Sequence, residues 1–390
     1  MSQLIKKIFG YICIVLTWCV NQGQKLMCRR ESHKLYTIPK GKTPQEKDYY
    51  REYKSNLRKY GFHPVKRDFL VFKNYFIERG KNPSVIIPGY IINNYLTPLL
   101  NPIPYREYFE DKNMFDKIFP KEYMPKTLYR RMGNQWMDND YSILSLEKVW
   151  EGMTDNNDFL KIIIKPTKNS SSGKGIELFE FHDSCWQNMK TGRKLEKTYL
   201  KDLYGGEDLI IQEVLKQNDS ISQFCDTAVN TFRIVIYHSP IDGECHYIWG
   251  CLRVANKGAL VDNTHAGGIL FGINKEGTLD SYGFDQYGKK YSNFNGIDFS
   301  KQQFRIQQYP DLIEFCKKMS PFLLPNRFIS FDIALDYKGD PKIIEYNIRG
   351  YSYWAGQFIG TSPLGEKNDE ILEYITKNHS RALKFYYSIS

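Results

Sequence analysis

The sequence predicts an α+β fold made mainly of antiparallel strands, and three observations predict it. Short apolar runs recur from residue 160 onward, each bounded by turn residues. Two of those turns, Pro240-Ile241-Asp242-Gly243 and 274–277, are short enough to join neighbouring strands directly. Helix-capable stretches fall between hairpins and do not alternate with single strands, which argues against a parallel sheet. The chain has 390 residues, 42% of them hydrophobic and 15% aromatic, enough for two or three domains with real cores. No period repeats along it, and that composition excludes disordered, collagenous and coiled-coil classes.

Taken in order, 49–60 has a helical pattern, and Pro83, Pro88, Pro98, Pro102 and Pro104 punctuate the segment after it. Strands are expected at 161–165, 176–181 and 208–215, with a polar helix-capable stretch at 184–204. Further strands are expected at Thr231–His238, Cys245–Val254, 268–273 and 278–282. A helix at 311–324 precedes a last hairpin, 328–336 with 341–349, and a final helix covers 368–387. A basic and apolar leader is set at 1–45, with a helical and mixed region at 46–125.

Formal net charge is +10, and its distribution is uneven. Residues 1–60 hold thirteen Lys and Arg against four Asp and Glu, so +9 of the excess lies there. A nucleic-acid-binding core would spread its bases over a folded face, so no nucleic-acid partner is expected. Lys6 and Lys7 precede an apolar run at 8–20, which at about thirteen residues is short of the roughly twenty a bilayer crossing needs. A basic start and a short apolar run also open a secretory signal, but Trp18-Cys19-Val20 offers no small-residue cleavage site. The expectation is an interfacial helix within residues 1–30, lying on a membrane or a neighbouring protein, or else packed on its own domain. Mean hydropathy is −0.51. The eight cysteines show no Cys-x-x-Cys and no scaffold spacing, as expected of a cytoplasmic chain, peripheral at most on the inner face of the membrane.

The last hairpin is the most informative segment. With a turn at Tyr337-Lys338-Gly339-Asp340, Asp336 should face Pro341, and the same constant index sum sets Asp332 opposite Glu345. Asn347 lies two residues beyond Glu345 on the same side. Phe331, Ile333 and Leu335, with Ile344, Tyr346 and Ile348, are left for the core. Two directly opposed carboxylates repel. A hard divalent cation reverses that sign, and two carboxylates plus an amide oxygen suit Mg²⁺. A strand face that simply meets water is the plainer alternative.

A second segment begins at Lys165, at the end of a buried strand, and continues Pro166-Thr167-Lys168-Asn169-Ser170-Ser171-Ser172-Gly173-Lys174-Gly175. Small residues in succession let backbone N–H groups converge on an anion, and Lys174 adds charge. No glycine precedes Gly173 by five residues, so this is not a Walker A loop; an ordinary Ser/Gly turn is the alternative.

Together these residues resemble the ATP-grasp superfamily. The resemblance joins the Lys165 strand, the Ser/Gly loop, the run Ile210-Ile211-Gln212-Glu213-Val214-Leu215 and Asp332…Glu345-x-Asn347. It is closer to the sugar-transfer-associated ATP-grasp proteins found with bacterial surface-polysaccharide genes, through Asn230-Thr231-Phe232-Arg233 and Val261-Asp262-Asn263 followed by Gly267-Gly268. It covers about residues 105–360.

The resemblance implies an α+β fold of two subdomains gripping ATP between antiparallel sheets, the first over 126–215 and the second over 216–390. By position, Lys112 and Lys165 would hold ATP phosphates with Ser171, Ser172, Gly173, Lys174 and Asn263. Gln212, Glu213 and Leu215 would line the adenine, and Asp332, Glu345 and Asn347 would bind one or two Mg²⁺ ions, with Mn²⁺ an acceptable substitute. Arg233, Arg253 and Arg349 would meet transition-state charge. Ser330 stands where ligases that join amino acids often place an arginine. The implied chemistry is ADP-forming carboxylate–amine ligation through an acylphosphate, on a sugar-linked acid or acceptor. Phosphate transfer to a hydroxyl, and a non-catalytic ATP-binding module of a glycan-assembly complex, stay open. Of the histidines, only His265 falls beside the expected site.

Overall fold

The computed structural model describes residues 44–155, 159–168, 173 and 175–386. The leader, Ser171, Ser172 and Lys174 therefore lie outside the described residues. Two helices come first, α1 (Pro44–Lys59) and α2 (Lys66–Ile77). Glu46 and the buried Lys73 form an ion pair between them. The chain then winds through short helical turns from Pro83 to Tyr123.

The first sheet holds β1 (Thr127–Met132), β2 (Gln135–Asp138), β3 (Ile143–Leu144), β4 (Lys161–Pro166), β5 (Glu177–His182), β6 (Cys185–Asn188) and β7 (Leu209–Glu213). Their order is β3-β2-β1-β7-β4-β5-β6, every pairing antiparallel. Helices α3 (Leu146–Thr154) and α4 (Lys197–Asp202) accompany it. Val149, Met153, Leu200, Ile162, Ile164 and Ile211 share one core. Strand alternation therefore turns Ile163 and Lys165 of β4 to the opposite face.

The second sheet holds β8 (Thr231–His238), β9 (Cys245–Val254), β10 (Ile269–Ile273), β11 (Leu279–Phe284) and β12 (Lys290–Tyr291). After a separate ribbon, β13 (Asn293–Phe294) with β14 (Ile297–Asp298), come helix α5 (Tyr309–Met319) and strands β15 (Phe328–Leu335) and β16 (Pro341–Asn347). The order is β12-β11-β10-β9-β8-β15-β16. One face, with Phe232, Ile234, Phe331 and Ile333, packs on α5 and on Phe109, Phe115 and Phe119. The other carries Val235, Tyr237, Trp249 and Phe328 under α1, α2, and the closing helices α6 (Tyr353–Phe358) and α7 (Asn368–Tyr386). The N-terminal helices thus share a core with the second sheet.

The structure corrects four expectations. The first sheet begins earlier than expected, with three strands between Thr127 and Leu144. The stretch 184–204 is no single helix: β6 and α4 divide it, and Asp183 and Ser184 at positive φ make the two-residue turn from β5. The last hairpin turns on three residues, with Gly339 at φ 91, so Asp336 meets Asp340 and Leu335 meets Pro341. A bulge at Ile344 then restores Asp332 opposite Glu345 and leaves Ile343 in the core in place of Ile344. Among the described residues no helix is long and apolar enough to cross a membrane.

Candidate active site

The site forms where the open face of the first sheet meets one end of the second. Lys165 is the penultimate residue of β4 and is 8% exposed. Lys112 opens a one-turn helix, Lys112–Met114, that the Asp111 carboxylate caps by accepting from the Asn113 N–H at 3.0 Å. The Lys112 N–H donates to the Thr167 carbonyl at 3.1 Å, which ties that turn to the end of β4. Its ammonium lies 2.9 Å from Glu345 Oε1 on β16, so this ion pair joins the turn beside the first sheet to the second sheet. Burial, with the Lys112 charge beside it, pushes the Lys165 ammonium down to about 8, and Glu345 offsets part of that.

On the second sheet the expected residues sit on one face. Asp332 faces Glu345 across β15 and β16, and Asn347 faces Ser330. Asp332 is nearly fully buried, and both of its oxygens are taken. Arg233 grips it with two bonds, Nε to Oδ1 at 2.8 Å and Nη2 to Oδ2 at 2.7 Å, and Arg253 Nη1 adds a third at 2.6 Å. Burial works against the ionised form, but the two guanidiniums outweigh it and hold Asp332 below the usual carboxylate range. Arg253 reaches further, to Asp262 Oδ1 at 3.1 Å, and Thr231 Oγ1 donates to the other Asp262 oxygen. Arg233 Nη1 donates to Ser352 Oγ at 2.6 Å. Four cations thus face three carboxylates.

The remaining expected residues divide. The Gln212 amide donates to Thr127 Oγ1 at 3.1 Å, inside the first sheet, so its side chain supports β1. Glu213 ends β7, and the chain from Val214 to Gln217 crosses to the second sheet, where the Asn218 N–H donates to the Leu335 carbonyl at 3.1 Å. Half-buried Leu215 lies on that crossing. A Cβ added to Gly173 would stand 3.5 Å from Val261 and 3.9 Å from the Asn263 amide, so Gly173 lies against the 261–263 segment. Asn263 Oδ1 accepts from the His265 N–H at 3.0 Å, which fixes the side chain within its own loop. Arg349 stands apart: its half-exposed guanidinium pairs with Glu110 at 2.6 Å. Cys251, opposite Arg233, has its thiol pushed up to about 12 by burial, so it is no nucleophile. A recess of about 430 Å³ near Asp280 and Gln303 lies at the far end of β10 and contains none of these groups.

The donor set fits a hard divalent cation. Among the described residues no three His, Cys, Asp or Glu gather as a metal cluster, so a cation here relies on the amide as well as the carboxylates. Asn347 Nδ2 is buried and has no hydrogen-bond partner among the described residues. Glu345, paired with Lys112 through Oε1, and Asn347 could reach a cation here, whereas both oxygens of Asp332 are engaged by Arg233 and Arg253.

Sequence reasoning missed the roles of Asp262, Thr231 and Ser352. The first two stand inside the motifs that carried the resemblance, but a strand-and-turn reading gives no sign of their contact, which depends on a loop folding back over β9.

An antiparallel sheet with a buried lysine at its open face, set against a second antiparallel sheet that opposes two carboxylates, is the arrangement expected of the ATP-grasp class. The family model for sugar-transfer associated ATP-grasp proteins matches residues 92–371, and the chain belongs to that family. No curated protein matches the sequence. Solved structures with similarity include an N5-carboxyaminoimidazole ribonucleotide synthetase in its ADP complex, at 9% identity and TM-score 0.34 over 65% of this chain and 50% of that one. An L-amino acid ligase from Bacillus licheniformis shows 12% identity and TM-score 0.34 over 71% and 48%. A D-cycloserine synthetase shows 10% identity and TM-score 0.37 over 73% of each chain. The chain spans about half the length of the first two, and none of these likenesses bears on its substrates.

Proposed function

We propose that this protein uses Mg²⁺ and ATP to activate a carboxylate as an acylphosphate and to join it to an amine, on a surface polysaccharide or its precursor. The observation that carries the reading is the meeting of Lys112 and Lys165 from one side of the cleft with Glu345 from the other. In this reading Lys112, Lys165 and the Ser/Gly loop of Ser171, Ser172, Gly173 and Lys174 hold the phosphates, beside Asn263. Glu213 and Leu215 flank the adenine, and Gln212 braces the strand beneath. Glu345 and Asn347, with Asp332, hold the cation, which when bound draws charge from the phosphate oxygens. Arg233 and Arg253 stand ready for the charge that develops as the acid oxygen takes the γ-phosphoryl group and ADP leaves. Arg349, turned to Glu110, serves the rim of the site. The amine then attacks the acyl carbon and inorganic phosphate departs. No protein nucleophile is required, in keeping with the buried Cys251 thiol.

Hydroxylamine tests the step directly. Incubated with Mg-ATP and a panel of sugar-linked uronic acids and amino acids, the protein should yield one hydroxamate per ADP with its cognate acid. ADP formed only with hydroxyl acceptors, and no hydroxamate from any acid, would replace ligation with phosphotransfer. The basic leader, residues 1–30, is proposed to hold the protein at an anionic membrane surface.

A further inference from the structure

Arg253 is held from both sides. Asp332 on β15 takes Nη1 at 2.6 Å, and Asp262 takes Nη2 at 3.1 Å. Asp262 is itself 9% exposed, and its second oxygen accepts from Thr231 Oγ1. Thr231 is the direct cross-strand partner of Arg253, so the hydroxyl and the guanidinium rise from the same level of the sheet toward one carboxylate. The loop that delivers Asp262 is built for the purpose. The Gly268 N–H donates to the Asn263 carbonyl at 3.1 Å, and a Cβ at Gly268 would lie 2.8 to 3.0 Å from the carbonyls of Asp262, Asn263 and Val254. Only glycine allows that approach. Gly267 turns the chain at φ 87 just before it. Asn230 secures the other end: its two amide N–H groups are shared among acceptors on Gln217, Ile221 and Cys225, and its oxygen accepts from the Ala255 N–H. Thr231 of the run 230–233 and Asp262 of the run 261–268 thus meet at Arg253.

We propose that Asp262, locked by Thr231, is a positioning residue that fixes the plane of Arg253 for the phosphoryl group in transit. The proposal rests on the ATP-dependent transfer described above. A guanidinium clamped between two carboxylates has its orientation set before any ligand arrives, which is what electrostatic stabilisation of a transition state requires. Asp332 alone would leave it free to pivot about one nitrogen. Asp262 touches no reacting atom in this scheme and acts only through Arg253.

Calorimetry separates the two claims without the unidentified acid. MgADP is titrated into the full chain alone and then with aluminium fluoride, which mimics the phosphoryl group in transit. Wild type should bind the fluoride complex at least tenfold tighter than MgADP. Thr231→Val and Asp262→Asn should keep MgADP affinity within threefold and lose that gain, while Thr231→Ser, which keeps the hydroxyl, should restore it. A gain retained by both Thr231→Val and Asp262→Asn would overturn the proposal, as would a loss that Thr231→Ser fails to rescue. Wild type showing no MgADP binding, or no gain with fluoride, would overturn the transfer reading and the proposal with it.

Discussion

Glu345 is the residue at which two roles meet. It pairs with Lys112 at 2.9 Å, and it is the proposed oxygen ligand, standing opposite Asp332. Glu345→Gln keeps the shape and removes the charge, so the Mg²⁺-dependent gain in ATP affinity should fall at least tenfold, about 1.4 kcal/mol. Calorimetry with ATP, with and without Mg²⁺, checks it, and an unchanged gain would remove Glu345 from the metal site. Lys165 makes a second prediction, in pH. Its ammonium titrates near pH 8 in the fold instead of 10.5. ATP affinity should therefore fall several-fold between pH 7 and pH 9, and Lys165→Arg should flatten that slope. Stability moves the other way. Between about pH 8 and 10.5 the unfolded chain holds the proton that the folded chain has released, so this group's contribution to stability rises with pH. In Lys165→Met that rise should vanish from urea unfolding measured across the window.

At the scale of elements, Asn101 shows how the end of β15 is held. It is fully buried, its two amide N–H groups are shared among the carbonyls of Phe328 and Ile348 at 2.6 Å each and the Tyr351 hydroxyl at 2.7 Å, and its oxygen accepts from the N–H groups of Arg327 and Phe328. Asn101→Ala strands several of these groups and should cost roughly 3 kcal/mol in urea unfolding at unchanged slope. A loss under 1 kcal/mol would show that the strand ends hold themselves. Sequence could not announce that anchor, because its partners are more than 220 positions away. Hairpins were the legible part: β8–β9 and β10–β11 lie where their turns predict. The strands β1 to β3 were hidden by charge, since the run Thr127–Met132 contains two arginines. Both are buried, Arg130 against Asp116 and Arg131 against the carbonyls of Lys201, Leu203 and Glu207. Bulges defeat index arithmetic as well. In the last hairpin the three-residue turn and the Ile344 bulge are offsets that cancel, so Asp332 faces Glu345 although the turn differs from the expected one. The β8–β9 pair has one bulge and no such cancellation. Turn counting alone would therefore misalign Thr231 and Arg253.

Across the whole molecule, charge separates a nearly neutral body from a basic leader. Of the formal +10, +9 belongs to residues 1–60, and residues 1–30 carry five Lys and Arg with no Asp or Glu. Residues beyond 60 therefore offer little long-range attraction for an anionic surface. Each base near such a surface contributes roughly 1 kcal/mol, so a leader lying on the surface as proposed would gain roughly 5 kcal/mol from its five bases, before any burial of the apolar run at 8–20. The electrostatic part is screened by salt, whereas the apolar part is not. The full chain should therefore float with vesicles containing phosphatidylglycerol, stay behind with vesicles of phosphatidylcholine alone, and be partly released by 0.5 M salt, about fivefold above the ionic strength where screening reaches 10 Å. Deleting residues 1–30 should abolish flotation while leaving ATP binding within twofold, because Lys112, Lys165 and Glu345 belong to elements that begin well beyond the deletion. Flotation that survives the deletion would move membrane contact to the folded body, and equal flotation with both lipids would leave the bases without a part in it.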